Sequence, residues 1–507
     1  MKKLFFIVSI SFNCFSQAAG SFDSTFNGNG KATYCFLDSG HGEFNSEFQS
    51  TGKIIIGLSN VNNTNNNGAE LIRFNYDGSV DTTFGINGIQ NFNNYSIFNN
   101  TGGTPVQLAI QADDKIIIMG LEQNNTFPNA YWIERCLPDG ALDTGFNGTG
   151  YLELSFGTLQ DRGYCVAIQQ DGKILLGGNT GNTAEFMNVA RLNTNGTLDT
   201  TFGVSGAAKV AFSTLESTPI SIAVQPDGKI VLGGYTVTAS AQDFALARFN
   251  GDGTLDTTFG VNGKVITTVD YTRSDRISKI LLEPDGKIVA VGHTSDSDNP
   301  RMAMTRYLAN GTLDTSFGNN GIMITADAWG RYPSMARQLD GKYVLAGGPS
   351  ADIFEIYRYN HDGTIDSTFG TNGFVNPFPA TGGGAFTTLI QPDNKIVVIG
   401  ATLSPDLTQG CAVVVRLNPG VLSNKVFGST ASMVYPNPTK GSVFIDNRNN
   451  QYTKILVYNY LGQEIVKSFV LDDDKMVVDL VGLPNGVYFV KLLDNFGTNK
   501  MVKVIKE

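Results

Sequence analysis

Three histidines stand in the 507-residue chain, His41, His293 and His361. Nucleophilic or metal chemistry would need one of them beside a serine and a carboxylate, or beside further ligands. Each occupies a different kind of place, and His361 replaces an ordinary turn residue. No such constellation can be assembled from them. A carboxylate pair of the glycosidase kind has more candidates: Asp161, Asp270, Asp275 and Asp327 fall in segments that read as loops, where acids are ordinarily solvated. Calcium is the third chemistry to weigh, because phrases of the form N-x-[DN]-G-x-x-D, as at Asn250–Asp256, space their side chains like an EF-hand loop. The first ligand position, however, is Asn75, Asn193, Asn250 and Asn360 in four copies and Leu137 and Leu308 in two others, and no acid closes the loop. The expectation is no catalytic residue, no cofactor and no metal, structural calcium being the one ion the loops could suggest.

What carries these residues is periodic. The Asp of a D-x-[TG]-F phrase recurs at Asp23, Asp81, Asp143, Asp199, Asp256, Asp314 and Asp366, in steps of 52 to 62 residues. Such a period is too long for helical-pair repeats and suits four-stranded propeller blades. The fifth unit shows four extended runs, Lys264–Val269, Ile277–Leu282, Lys287–Gly292 and Met302–Leu308, each bounded by turn residues. Between the second and third runs lies a turn ending in Lys53, Lys115, Lys173, Lys229, Lys287, Lys342 or Lys395. Just before the Lys stands Gly52, Asp114, Gly172, Gly228, Gly286, Gly341 or Asn394, the residue types that tolerate a left-handed backbone. The D-x-[TG]-F phrase itself reads as a corner after the fourth run. Its Asp caps the turn, and its Phe, such as Phe259, plugs the seam between neighbouring blades.

The fourth run supplies one more constant, Arg73, Arg135, Arg191, Arg248, Arg306, Arg358 and Arg416. In six copies the next Asp lies eight residues on, as Asp256 follows Arg248. Two residues are left over: Asp23 has no preceding Arg, and Arg416 has Asn424 where the Asp should be. The pairing rule therefore places the N-terminal corner beside the last blade, with Asp23 on Arg416 and Phe26 in the closing seam. A degenerate copy, SNKVFG, offers Phe427 for the same slot.

Alternating strands put the two kinds of turn on one face and the remaining loops on the other. The first face repeats from unit to unit; the second differs, as in LEQNNTFPNAYW and ADAWGRYPS. Tyr131, Trp132, Trp329, Tyr332, Phe98 and Phe127 lie in or beside the varied segments, and aromatics on diverse loops over a rigid scaffold make a binding surface.

A formal charge of −10 argues against nucleic acid as a partner. The start, MKKLFFIVSISFNCFSQAAG, has the Lys pair, short apolar run and small residues of a secretory signal, cleaved after Ser16 or alternatively after Ala19. No later segment is apolar enough to span a membrane. Cys35, Cys136, Cys165 and Cys411 form no C-x-x-C pair; in an exported chain they are disulfides or buried thiols.

After Asn418 the period stops. Tyr435-Pro-Asn-Pro438, Leu461-Gly-Gln-Glu464, Leu483-Pro-Asn-Gly-Val-Tyr488 and a basic Lys-Met-Val-Lys-Val-Ile-Lys ending follow in order. This segment resembles the type A sorting domain of the type IX secretion system of Bacteroidetes. The resemblance implies export through the outer membrane by that machinery, removal of the domain by a sortase-type peptidase, and release or attachment at the cell surface. The repeats, in particular Ile222–Gly234 with Leu255–Gly260, resemble delta-60 repeats, a family taken to form β-propellers. That resemblance carries no catalytic residues.

The sequence thus predicts an all-β chain: a signal peptide at 1–16, a seven-bladed β-propeller over 20–425, a linker at 426–433 and a small β-sandwich sorting domain at 434–507. Copies one and two fit the pattern least, GEFNSEFQSTGK lacking apolar alternation, so the second run is weakest in those two copies. The expected function is binding of a polysaccharide or a surface protein through the varied face. A polysaccharide hydrolase or lyase on the same scaffold is the alternative, and a structural surface protein without a dedicated pocket is a third reading.

Overall fold

A computed structural model describes residues 18–420 and 434–507, except 36–40, 61–67, 93–105, 123–129, 159–160, 183, 214, 239–240, 296–299, 349–353, 380–382, 405–409, 447–453, 460–463, 467–469, 473–474 and 494–498. Two compact units are present, residues 1–421 and 422–507. The first holds seven four-stranded antiparallel sheets. Their innermost strands pack in a cycle: His41–Phe48, Gln107–Ile110, Arg162–Ile168, Ser217–Val224, Ser274–Leu282, Arg331–Arg337, Gly384–Ile390, and back to His41–Phe48. The weakly patterned first copy forms its strand like the rest.

Position in the sheet explains the sequence of each strand. The second strand, such as Ile174–Gly181, is buried along its whole length because a neighbouring sheet covers each of its faces. It therefore reads as an unbroken apolar run, whereas the outermost Ala207–Val210 alternates. Each seam has its own core, for example Val231, Phe244, Leu246 and Phe259 against Ile277, Ile280, Ile288 and Tyr307.

The four runs of one sequence unit are not one sheet. Lys264–Thr267 pairs with Gln242–Phe249 of the preceding unit, Val265 opposite Leu246. Ser274–Leu282 opens the next sheet. The tight corner makes the fourth run and the following first run a hairpin, so the longer connection after it is the one that crosses between sheets. This offset leaves one strand over at each end. Lys31–Cys35 becomes the outer strand on Gly410–Leu417, with Lys31 opposite Val415. A disulfide joins Cys35 to Cys411 across that pair, and Cys136 and Cys165 are free and buried.

Closure goes further than a strand. In the first sheet the corner hairpin is held by Asn75 N–H on Ser79 O and Gly78 N–H on Asn75 O. In the last sheet the same bonds run from Asn418 N–H to Ser21 O at 2.8 Å and from Gly20 N–H to Asn418 O at 2.9 Å. One half of the seventh corner is the end of the repeat array and the other half is the start of the chain. Gly370 N–H also bonds Ala19 O, as Gly85 N–H bonds Asp139 O. A signal cut after Ser16 keeps this carbonyl, and a cut after Ala19 removes it. Phe26 lies in the seam core with Ile54, Ile72, Val397 and Val414; Phe427 lies outside the described residues.

The second unit is two four-stranded sheets, one built on Ser442–Asp446 and Lys475–Asp479, the other on Lys454–Asn459, Gly486–Leu493 and Asn499–Lys506. Val443, Val478, Val457, Val490 and Val504 fill the space between them. The Pro-Asn-Pro turn ties the first strand to the last through Ile505 N–H on Asn437 Oδ1, 2.9 Å.

Candidate functional site

The turn face is a lattice of one repeated interlock. Asp256 Oδ2 accepts Arg248 Nε at 2.8 Å and Lys229 Nζ at 2.9 Å. Its Oδ1 accepts the Thr258 hydroxyl at 2.6 Å and the Thr258 N–H at 3.1 Å. Arg248 Nη1 then crosses the seam to Ala309 O at 2.6 Å, and the guanidinium lies 4.4 Å over the Phe259 ring. Phe259 is fully buried beneath the next corner, where a Cβ on Gly311 would meet its ring at 2.9 Å. Only glycine admits that approach. All seven Arg–Asp pairs stand at 2.7–2.9 Å, the seventh being Arg416 on Asp23 at 2.7 Å. Burial pulls the Asp23 carboxyl upward, but Lys395, Thr25 and the Arg416 charge outweigh it and hold it at about 2. The seven turn lysines bind corner aspartates at 2.6–3.5 Å. Both kinds of turn therefore share one face, and these lysines are spent within the protein. Asp256, the acid that a calcium loop would offer, is already engaged from four sides.

One seam departs from the pattern. Where six copies have Gln before the Lys turn, the fifth has Glu283, buried at 5% exposure. Tyr343 donates its hydroxyl to Glu283 Oε1 at 2.5 Å, and His361 Nε2 and Arg337 Nε stand 3.0 and 3.4 Å from the same oxygen. In place of the lost amide donor Glu283 Oε1 has the Tyr343 hydroxyl and His361 Nε2 as hydrogen-bond partners, with the Arg337 charge beside them. His361, which looked like a stray turn residue, belongs to this seam.

Of the six loop-face aromatic residues, the two whose side chains are described, Tyr131 and Trp132, are buried. Tyr131 and Trp132 sit in the wholly buried strand Ala130–Cys136, Trp132 stacked on Tyr151 at 4.7 Å and Tyr131 edge-on to Phe156 at 5.4 Å. Alternation along a strand covered on both faces leaves no outward side, so both rings pack in seams rather than on the surface. Trp329 and Tyr332 belong to paired strands, but their side chains, like Phe98 and Phe127 altogether, lie outside the described residues.

Nor do the described loop acids, Asp161, Asp270 and Asp275, converge. Asp161 is fully buried and accepts Phe156 N–H, Ser155, Thr158 and Thr180 at 2.5–2.9 Å, a loop cap. Asp275 occupies the same place two sheets on, capping Val269 N–H at 2.7 Å, and burial pushes its carboxyl up to about 6. Asp270 caps Thr272, and the Asp327 side chain is outside the described residues. Among the described residues no group of His, Cys, Asp and Glu could hold a metal ion, and no helix is long and apolar enough to cross a membrane.

A different constellation lies at the inner end of the loop face, across the third, fourth and fifth sheets. Asn179 donates to Glu185 Oε2 and, at 3.2 Å, to Thr218. Thr218 donates to Glu216 Oε1 at 3.1 Å, and the Tyr235 hydroxyl donates to the same oxygen. The Arg276 guanidinium lies 4.7 Å over the Tyr235 ring and donates from Nε to Gln242. Burial, together with the Glu216 charge, raises the Glu185 carboxyl, and Arg162 and Asn179 oppose the shift. Beside them stands Tyr164, whose hydroxyl is raised by burial and by Glu185 and Glu216, against Arg162. The residues come from several loops and strand ends, which is why spacing did not reveal them. One signal was present: Asn179, Tyr235 and His293 take one strand position in three successive sheets, each opposite the head of an inner strand.

Residues 49–84, 169–202, 225–259, 283–317, 338–369 and 391–420 match a family described as "Domain of unknown function (DUF5122) beta-propeller". Residues 433–507 match a "Secretion system C-terminal sorting domain". The protein is therefore a β-propeller built of DUF5122 repeats with a type IX sorting domain, and it is secreted to the cell surface or beyond. The second sheet lies between the first two matched segments, yet its Arg135 and Asp143 pair like the rest. Similar solved structures include a Dyadobacter fermentans protein of unknown function, at 12% identity and TM-score 0.44, covering 76% of this chain and 98% of that one. The polysaccharide lyase Uly1 is 11% identical with TM-score 0.46, covering 77% and 92%. A PL25 ulvan lyase is 11% identical with TM-score 0.45, covering 76% and 96%. At that distance the activity of those proteins stays theirs. Among curated proteins none matches the chain.

Proposed function

We propose that the protein is a surface glycan-binding propeller whose ligand rests on the network of Glu185, Glu216, Tyr235 and Arg276. The observation that carries this reading is the network itself. It crosses three sheets, combines flat amide, carboxylate and guanidinium groups with a tyrosine ring, and sits where the repeats differ. Sugar rings offer paired hydroxyls for such planar partners and an apolar face for a ring, so a few fixed polar groups confer orientation. The sorting domain supplies the delivery to the surface. The test is a glycan array probed with the mature full-length chain and with Tyr235→Phe and Glu216→Gln. Binding lost in both, with unfolding unchanged, supports the site; equal binding by all three refutes it.

A second reading is favoured by one feature. Glu185 and Glu216 are electrostatically coupled, and burial raises the first, while the second accepts two hydroxyl donors. Two carboxylates in one network, one of them raised by burial, supply the pair of groups that a glycosidase uses. Release of reducing ends from a bound glycan, abolished by Glu185→Gln, would establish it; binding without turnover would leave the first reading.

A further inference from the structure

The network on the loop face has an arginine at each side. Arg162 opposes Asn179, Thr218 opposes Tyr235 and Arg276 opposes His293, so the three take one position at the heads of successive inner strands. The two arginines are differently matched. The Arg162 charge acts on the Glu185 carboxyl and on the Tyr164 hydroxyl, opposing in both the rise that burial causes. An acid of the protein therefore answers Arg162.

Arg276 is held but not answered. Its guanidinium lies 4.7 Å over the Tyr235 ring of the fourth sheet, and Nε donates to Gln242 of that same sheet. A stacked face and a bonded Nε together fix the plane of the group. Among the described residues Nη1 and Nη2 have no hydrogen-bond partner, and Arg276 forms no ion pair. The side chain is half-buried, yet neither nitrogen is shut off from solvent. Acids of the same seam are engaged elsewhere. Asp275 Oδ2 caps the Val269 and Asp270 N–H groups at 2.7 and 3.1 Å, Asp270 takes the Thr272 hydroxyl and Arg273, and Asp243 takes the Thr238 hydroxyl at 2.8 Å. Arg301, opposite Thr294 at the loop end of the fifth sheet, also forms no ion pair among the described residues. On the turn face, by contrast, each corner arginine meets its Asp at 2.7–2.9 Å.

A guanidinium fixed in plane, partly stripped of water and open at both Nη atoms matches the two oxygens of a carboxylate or sulfate by parallel N–H···O bonds. A neutral hydroxyl could accept one such bond but would leave the half-buried charge without a counter-charge.

We infer that Arg276 makes the site selective for acidic glycans, with Nη1 and Nη2 holding a sugar carboxylate or sulfate ester at the fifth-sheet side while Glu185 and Glu216 meet hydroxyls at the other. This inference rests on the glycan-binding reading. It adds the class of glycan, the residue that selects it, and the side of the network where the acidic group lies.

The experiment measures the affinity of the mature full-length chain for uronic-acid oligosaccharides before and after carboxyl reduction, and for sulfated oligosaccharides before and after desulfation. The acidic member of one pair should bind about tenfold or more tightly than its neutral counterpart. Loss on carboxyl reduction identifies a uronate, and loss on desulfation a sulfate ester. Arg276→Gln should bring the two members level by weakening the acidic one alone. Arg276→Lys keeps the charge without the planar fork and should lose most of the preference too, which serves if the glutamine variant does not fold. Tyr235→Phe keeps the ring under the guanidinium and loses only the hydroxyl, so it should weaken both members alike and preserve their ratio. Thermal unfolding checks each variant. Glycans bound without preference for the acidic member, a readout that needs no variant, overturn the inference and leave the glycan-binding reading standing. A preference that survives in the Arg276 variants does the same. No binding to any glycan overturns both.

Discussion

The two faces of the propeller use the same residue types to opposite ends. On the turn face, Arg248, Asp256 and Lys229 are closed on one another and on Thr258, and Arg248 Nη1 carries the bond across to the neighbouring blade. On the loop face, Arg276, Glu216 and Tyr235 form an open chain whose members differ in each sheet. A charge that is buried and fully hydrogen-bonded holds structure and has nothing left for a ligand. A charge bonded on one side keeps its other side free for recognition. The contrast shows that spacing alone does not separate the two roles; the number of bonds already made does.

The strongest way to break the comparison is Asp256→Ala, which leaves Arg248 buried without its carboxylate. The expected loss is about 3–5 kcal/mol, read as a fall in the urea midpoint, against less than about 1 kcal/mol for Glu216→Gln on the loop face. Asp23→Ala asks whether the split corner equals the continuous ones. A loss similar to that of Asp256→Ala is expected, and a negligible one would mean that closure rests on the outer strand alone.

Next comes the disulfide between Cys35 and Cys411, which closes a loop with a sequence separation of 376. Replacing both cysteines by serine should cost about 2–5 kcal/mol. Thermal unfolding with and without reductant checks this, since the double variant should lose all sensitivity to reductant.

The pH dependence sharpens the comparison with a third environment, the wall between blades. Corner carboxylates are depressed, Asp23, Asp314 and Asp366 to about 2. Their contribution is complete above the unfolded value near 4 and is lost as pH falls toward 2. Glu134, in the buried strand, is raised by burial to about 7. The stability it leaves intact below its unfolded value near 4.5 is eroded as pH rises to 7. Glu134→Gln should therefore stabilise by on the order of 2–3 kcal/mol at pH 7 and by nothing at pH 4. Equal effects at the two pH values would show that the Glu134 carboxyl titrates alike in the folded and unfolded chain.

The smallest expected effect on stability, and the largest on binding, belongs to Tyr235→Phe. Its unfolding midpoint should stay within about 0.5 kcal/mol of the parent while glycan binding falls. A large loss of stability instead would make the network a second interlock and erase the contrast between the faces.

Much of the turn face was legible because each of its constraints is local. Left-handed backbone at Gly172, Asp114 and Asn394 shows as residue type, and the Arg–Asp pair shows as a spacing of eight. The pairing rule also carried Asp23 to Arg416, since a ring must give its last arginine a partner. The loop-face site was not legible for the converse reason. Asn179, Glu216, Tyr235 and Arg276 come from separate loops and strand ends, and each alone is an ordinary polar residue. Tyr131 and Trp132 misled because position beside a varied loop says nothing about which neighbouring sheet covers a strand.

By itself the sequence determined the repeat and the corner chemistry, which depend on contacts at fixed separations, the closing pair, which the pairing rule leaves over, and the sorting domain, which its motifs carry. Tertiary structure alone decided the rest. It assigned the outer strand to the preceding unit, because a tight corner makes a hairpin and the longer link must cross. It joined Cys35 to Cys411, because closure sets the two ends of the array side by side. Finally, it brought Glu185, Glu216 and Tyr164 together on the loop face, because neighbouring blades converge at their inner strands whatever the distance between them along the chain.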